Sequence, residues 1–529
     1  MRNVLKSTML AGAAVLALGA GLCSTSLAAR AQEATFVLTA RDVGAPMYNP
    51  IKATKLNFAN TLIFDRLVIR DADQSFHGQL ATSWESTPDG KLWTFKLRPG
   101  VRFHNGEPFN AQTIAWWVPK FAGTENAYMT EAIEKVEVVD DLTVKLHMKT
   151  PDPNLLYNLA SSFMGVPAPK AFDALGDKFG ISEAIGSGPF KMQAFTVGQQ
   201  TVLVRNDDFA WGSALSANKG PAKIRKLTIR EIPEDSTAFL ELRTGGVDML
   251  VSVPTDFLPR LQAERSIKVM TLPGTEVMYM PINTSVEPFT DIRLREAAAL
   301  AVNQKEIVAN LYGGVGQVAD TFLISSLLES DVDPRFKVAY NPDRARKLLD
   351  EAGWTMAAGG VRAKDGKPLQ VKLWTQNGTE FKRVTEVVQA QLKAIGIQAD
   401  ITVLDPSTIN AQYRKRTEHQ LAVRAYSWTN ADIIDWFFSG KRLGYPNVSM
   451  FNDPKAEALN VKAMKESRTW DERVANFKAY HEYVLSQFAF APIYQPAQSF
   501  AFNQTRLAFP DKVRGQSVQS QTVLDIAVK

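Results

Sequence analysis

The sequence predicts an α/β protein divided into two or three domains. Strand–helix–strand successions occur in both halves of the chain, a pattern that implies parallel or mixed sheets covered by helices. The chain has 529 residues, more than one ordinary core encloses, since domains usually run to ~100–200 residues. Residues 76–190 break the pattern with alternating strands, turn residues and one clear helix, which reads as a separate α+β subdomain.

The first element is a targeting segment. Arg2 and Lys6 precede an uncharged apolar run from Met9 to Leu22, and Ala29-Arg30-Ala31 has the small-x-small pattern of a cleavage site. The run falls short of the ~20 apolar residues that span a bilayer. It therefore reads as a cleaved secretion signal over residues 1–31, leaving Gln32 at the mature N-terminus. Leu22 is a poor neighbour for lipidation at Cys23. Cleavage removes Cys23, the single cysteine, so the mature chain has no thiol for a disulfide, a zinc–thiolate site or a nucleophile. It also removes three positive charges and no negative one, so the net charge of +5 becomes +2. A nearly neutral chain gives no electrostatic reason to bind nucleic acid or an anionic membrane.

In the subdomain, Trp93, Phe95 and Leu97 alternate with polar residues as on a half-buried strand. Thr87-Pro88-Asp89-Gly90 and Asn105-Gly106 supply turns on either side. A helix is expected over 111–120, and strands over 135–139 and 142–148. Further on, 226–232 is strand-like, Asp235 is placed to cap a helix ending at Gly245-Gly246, and 247–253 returns as a strand. Asn341-Pro342 opens another helix, with Pro at its first position, that runs to Glu351 before Gly353. The clearest unit is a strand over 369–374, a helix over 380–394 stopped by Gly396, and a strand over 397–404.

Enzyme signatures are missing. Gly186-Ser187-Gly188 lacks the spacing of a nucleophile elbow, and no phosphate-cradling G-x-x-x-x-G-K-[ST] loop occurs. The five histidines are scattered, with no H-E-x-x-H pair. The sequence gives no sign of a cofactor.

The order Leu97-Arg98-Pro99-Gly100-Val101-Arg102-Phe103-His104-Asn105-Gly106-Glu107-Pro108-Phe109-Asn110-Ala111 resembles the signature of the family 5 extracellular solute-binding proteins, the peptide- and nickel-binding receptors of ABC importers. Four more segments resemble that family in the same order: Ile185–Phe190, Leu240–Asp248, Tyr279–Thr284 with Pro288–Ala297, and Asn341–Leu349. These motifs identify a scaffold and are mostly structural; Arg293 and Arg295 are expected to make salt bridges where their helix begins.

The resemblance implies a bilobal α/β periplasmic-binding-protein fold of class C (type II), with the extra subdomain inserted in the first lobe. Lobe one would comprise residues 32–75, 191–278 and 490–529, the insertion 76–190, and lobe two 279–489. The chain would cross the hinge near Met278–Ile282 and near Phe490–Tyr494. Solute would bind between the lobes in the periplasm. The receptor, a monomer with no activity of its own, would deliver it to an inner-membrane permease with cytoplasmic ATPase subunits. An oligopeptide or related amino-acid-derived solute leads. An opine, a glycoside or another small polar solute is the alternative, and a nickel or metal chelate stands behind it.

Site residues follow from the same resemblance. Tyr426-Ser427-Trp428-Thr429-Asn430-Ala431-Asp432 resembles the family's cleft-facing segment in lobe two, where an Asp pairs with a peptide's α-ammonium group. Asp432 is the best match and Asp435 the second, although Ile433 replaces the family's proline. Trp428, Tyr426 and Asn430 accompany it, with Tyr128 and Asn57 expected from the first lobe. Aromatic rings there would bring contact area at little entropic cost. Arg424 is read as a salt-bridge residue ahead of an anion contact.

Overall fold

Residues 32–39, 42–415, 419–515 and 517–529 are described by the computed structural model; the expected signal segment lies outside them. Two large sheets organise the chain. The first has seven strands in the order Ile267–Pro273, Ala497–Asn503, Met249–Leu250, Glu33–Leu38, Lys226–Glu231, Gln200–Arg205 and Phe190–Thr196. Glu33–Leu38 runs parallel to both of its neighbours, and the remaining pairs are antiparallel. The second sheet has six strands in the order Gln317–Val318, Phe490–Gln495, Glu276–Pro281, Leu421–Ser427, Gln370–Gln376 and Gln398–Leu404. Its last three strands are mutually parallel. The molecule is thus a bilobal α/β protein.

Along the chain, between Glu33–Leu38 and Phe190–Thr196 of the first sheet, comes a separate four-stranded antiparallel sheet in the order Ala81–Ser86, Leu92–Leu97, Thr143–Met148 and Ile133–Asp140. It has its own hydrogen bonds but not its own core. Phe95, Trp117 and Leu146 share one apolar cluster with Phe36, Phe190 and Phe500 of the seven-stranded sheet. The second lobe has a separate core that includes Phe289, Leu348, Val388, Phe437 and Phe477. Each large sheet packs against its own main core, and this makes two bodies.

Local chemistry explains most elements. Gly90 and Gly106 take the positive φ that their turns require. Asn341 caps the helix Pro342–Glu351 by accepting from the Arg344 amide at 3.0 Å. The helix Thr379–Ala394 buries Val384, Val388 and Leu392 at helical spacing. Gly186 and Gly188 mark close backbone contact: a Cβ on Gly186 would lie 2.0 Å from the Ile63 carbonyl oxygen, and one on Gly188 2.3 Å from that of Leu62. Between them, the Ser187 hydroxyl donates to Asp65 at 3.0 Å.

Several expectations need correction. Glu234, not Asp235, caps the helix Asp235–Thr244, because its carboxylate accepts from the amides of Ser236 and Thr237. The strand expected over 247–253 shortens to Met249–Leu250. The helix expected to Lys120 ends at Trp117, and Val118–Phe121 tightens into a 3₁₀ turn around Pro119. Arg293 does pair with Asp291 at 2.6 Å, but Arg295 donates to the carbonyls of Phe289, Thr290 and Gln487 and forms no ion pair among the described residues.

The strand Phe490–Gln495, assigned to lobe one from sequence, pairs with Glu276–Pro281 inside the second sheet. Across the hinge, Ile267–Pro273 pairs with Ala497–Asn503 inside the first. One two-stranded antiparallel ribbon therefore runs from sheet to sheet, and the crossings fall at Gly274-Thr275 and Pro496. They touch there, since a Cβ on Gly274 would meet the Pro496 carbonyl oxygen at 1.7 Å.

Candidate functional site

Open α/β sheets take ligands off the carboxyl ends of their parallel strands. In this chain those ends face each other across the seam between the lobes. Thr39 follows Glu33–Leu38, Ser252 follows Met249–Leu250, and Thr379 and Glu380 follow Gln370–Gln376. All four line a cavity of about 380 Å³ with Asp235 and Asp256 of the first lobe, Tyr312 and Arg383 of the second, and Pro496 at the crossing. That volume sits at the small end of the usual ~300–1,000 Å³ for small-molecule sites. Arg383 and Asp256 form an ion pair across the seam at 3.7 Å. Burial and the Glu380 carboxylate push the Tyr312 phenol's pKa upward, so it stays protonated and able to donate.

The neighbouring strand Leu421–Ser427 is parallel to Gln370–Gln376, and its carboxyl end carries the segment singled out from sequence. Trp428 is held at the hinge, its amide donating to the Thr275 carbonyl at 3.0 Å. Its indole N–H donates to Asp432 Oδ1 at 2.7 Å. Burial pushes the Asp432 carboxyl up to about 6, against the pull of the Trp428 hydrogen bond and the Arg473 charge; Asp435 and Asp152 push the same way as burial. Tyr128, half exposed on the inserted subdomain, is near enough to that carboxylate to feel its charge. Burial and the Asp432 charge raise its phenol to about 12. Asp432 is thus held by Trp428 and lies within electrostatic reach of Tyr128, although none of the three lines the cavity.

The other expected residues fare differently. Asn430 is buried, and its amide bonds to Asn154 of the subdomain at 3.3 Å and to the guanidinium of Arg473. Tyr426 is in the second lobe's core. Its hydroxyl donates to the Phe322 carbonyl and its ring packs on Tyr279 and Phe437, leaving no face for solute. Asn57 is also internal: it donates to the Tyr48 hydroxyl at 3.1 Å and accepts from the Ala59 amide. Asp435 is occupied by Arg442 at 2.8 Å and by Asn460. Arg424 forms no salt bridge with the described residues; its guanidinium lies over the rings of Tyr413 and Tyr445.

Sequence reasoning missed Arg70, Asn154, Glu329 and Arg473, which fill the seam beside Asp432. Arg70 donates to the Thr429 carbonyl at 3.0 Å, bridging the lobes. Arg473 did carry a signal. On the helix Trp470–Ser486 it falls on the stripe of Phe477, Tyr480, Val484 and Leu485, where an apolar residue belongs.

Two α/β lobes strapped by a ribbon, with a cavity at the facing strand ends, define a cleft-type binding protein. The profile of the bacterial extracellular solute-binding proteins, family 5 (middle), matches residues 75–442. The nickel-binding periplasmic protein of Escherichia coli K12 is 31% identical over 392 residues, covering 72% of this chain and 73% of the relative. The oligopeptide-binding protein AppA of Bacillus subtilis is 27% identical over 473 residues, covering 86% and 83%. Among solved structures, NikA from Brucella suis in complex with Fe(III)-EDTA superposes with a TM-score of 0.78 at 23% identity, covering 93% of this chain and all of that one. The chain belongs to the family 5 extracellular solute-binding proteins.

Proposed function

We propose that this protein is the periplasmic substrate-binding component of an ABC importer, taking a short oligopeptide or related amino-acid-derived solute between its lobes. It hands the solute unaltered to an inner-membrane permease whose cytoplasmic ATPase subunits supply the energy. The observation that carries the ligand class is Asp432. It is a partly buried carboxylate at the seam, and among the described residues only the Trp428 indole hydrogen-bonds it as a side chain. A desolvated carboxylate favours a cationic partner, and an α-ammonium group supplies one with charge-assisted hydrogen bonds. The oligopeptide-binding relative supports the same reading.

A chelated metal is the second reading, favoured by the nickel-binding relative. Among the described residues no three His, Cys, Asp or Glu side chains are grouped as a metal site, so a metal would arrive in its own chelate.

Thermal melting with trialanine, N-acetyl-trialanine and nickel–histidine chelate tests both. Free trialanine at 100 times its Kd is expected to add about 2.7 kcal/mol of stability, and the acetylated peptide much less. Asp432→Asn should weaken trialanine by roughly 10–150-fold, the span of a lost charged hydrogen bond of about 1.5–3 kcal/mol. Equal shifts with both peptides would remove the ammonium from the site. A shift with the chelate alone would replace the peptide reading.

A further inference from the structure

We infer that Trp428 is a positioning residue for the solute-reading carboxylate: its indole N–H holds Asp432 off the helix that Asp432 precedes, with one carboxylate oxygen left for solute. The inference rests on the reading that Asp432 meets the solute's ammonium group, and adds what aims it.

Asp432 stands at the N-cap of the helix Ile433–Phe438, where an Asp ordinarily accepts from the amides of the first turn. Two others in this lobe do so. Asp405 and Asp453, both with extended backbone, cap the helices Pro406–Arg414 and Pro454–Val461 by accepting from the amides two and three residues on. Asp432 differs. Its φ of −59° and ψ of −13° are already helical, and its carboxylate bonds no amide of the turn. In helical backbone the Cα–Cβ bond tilts toward the N-terminal side, so residues four apart come together. The residue four positions before Asp432 is Trp428, and its indole N–H donates to Asp432 Oδ1 at 2.7 Å.

Trp428 is itself anchored. Its amide donates to the Thr275 carbonyl at 3.0 Å, and the neighbouring Ser427 hydroxyl lies 3.1 Å from that of Thr275. Its ring packs on the second lobe's core. The Asp432 amide in turn donates to Asn430 Oδ1 at 3.4 Å. All these contacts lie within the second lobe and its crossing at Thr275, so none depends on where the first lobe stands. An indole N–H is a donor only, so it takes one oxygen of the carboxylate without offering a rival acceptor to an ammonium group. Asp435 is no substitute, because Arg442 and Asn460 already occupy it. A carboxylate held in place beforehand loses less freedom when solute arrives.

Trialanine titrated calorimetrically into the parent, Trp428→Phe, Asp432→Asn and the double variant tests the inference, each read below its own melting temperature. Trp428→Phe keeps an aromatic ring and removes the N–H. It is expected to weaken trialanine by about tenfold, the scale of a hydrogen bond to a charged group. In the Asp432→Asn background the same change should cost less than about twofold, because the charge it positions is gone. A ring that only lined the pocket would cost the same in both backgrounds. The inference is overturned if Trp428→Phe leaves trialanine binding unchanged, or if its cost persists in the Asp432→Asn background. Weakening by Asp432→Asn but not by Trp428→Phe would sink this inference alone and leave the ammonium reading standing. No weakening by Asp432→Asn would sink both.

Discussion

At the scale of single residues, buried carboxylates set the pH response. Asp65 accepts from Gln79, Ser187 and Trp211 at 2.6–3.0 Å, yet burial still lifts it to about 6. Its native pKa lies above the unfolded value of 3.8, so the native state holds a proton that the unfolded chain has released between pH 4 and 6. Stability from this group is full below pH 4 and is lost as pH rises through 6, by up to about 3 kcal/mol. Asp432 works in the same window and direction. Urea melts at pH 4, 5, 6 and 7 should show this falling component, and Asp65→Asn should flatten it. A slope unchanged by the substitution would assign the effect elsewhere. The capping carboxylates Glu234 and Asp405 are held below the ordinary range by hydrogen bonds to Ser and Thr, and act with the opposite sign in stronger acid.

At the scale of elements, the turn Gly186-Ser187-Gly188 shows what a motif can and cannot reveal. Its residue order pointed to a scaffold; its cause, a backbone-to-backbone contact with residues 62–63, involves residues more than a hundred positions away and is invisible in sequence. Gly186→Ala should cost about 1–3 kcal/mol or more as overpacking against that carbonyl, read as a lower urea midpoint. An unchanged midpoint would mean that the segment 62–63 can retreat. The unit spanning Gln370–Gln376, Thr379–Ala394 and Gln398–Leu404 was legible to within two residues, because hydrophobic periodicity and its glycine stop are local. Asp432, Trp428 and Tyr128 were put forward through resemblance alone. Tyr426 and Asn57 were misread because neighbours distant in sequence, Phe322 for one and Thr201 beside Tyr48 for the other, claim their surroundings. Glu380 could have been found by looking just past the carboxyl end of an expected parallel strand. Arg473 could have been found as the one charge on an otherwise apolar stripe.

At the scale of the whole molecule, the boundary between the lobes depends on pairing, which periodicity does not encode. An apolar run such as Phe490–Gln495 reads as a strand wherever it belongs; only its register against Glu276–Pro281 assigns it to the second sheet. Gly274→Ala should force the two crossings apart, because its Cβ would overlap the Pro496 carbonyl oxygen. Amide exchange should then accelerate over 267–281 and 490–503, while 226–231 keeps its protection. Uniform exchange would show that the crossings do not bear on each other.

A strap of two hydrogen-bonded strands bends readily out of its plane but resists shearing within it. With both passages between the lobes in one such strap, the halves can swing like the covers of a book but cannot slide or swivel. Any surface that must recognise loaded cargo from outside then needs to gauge a single quantity, the gap between the covers.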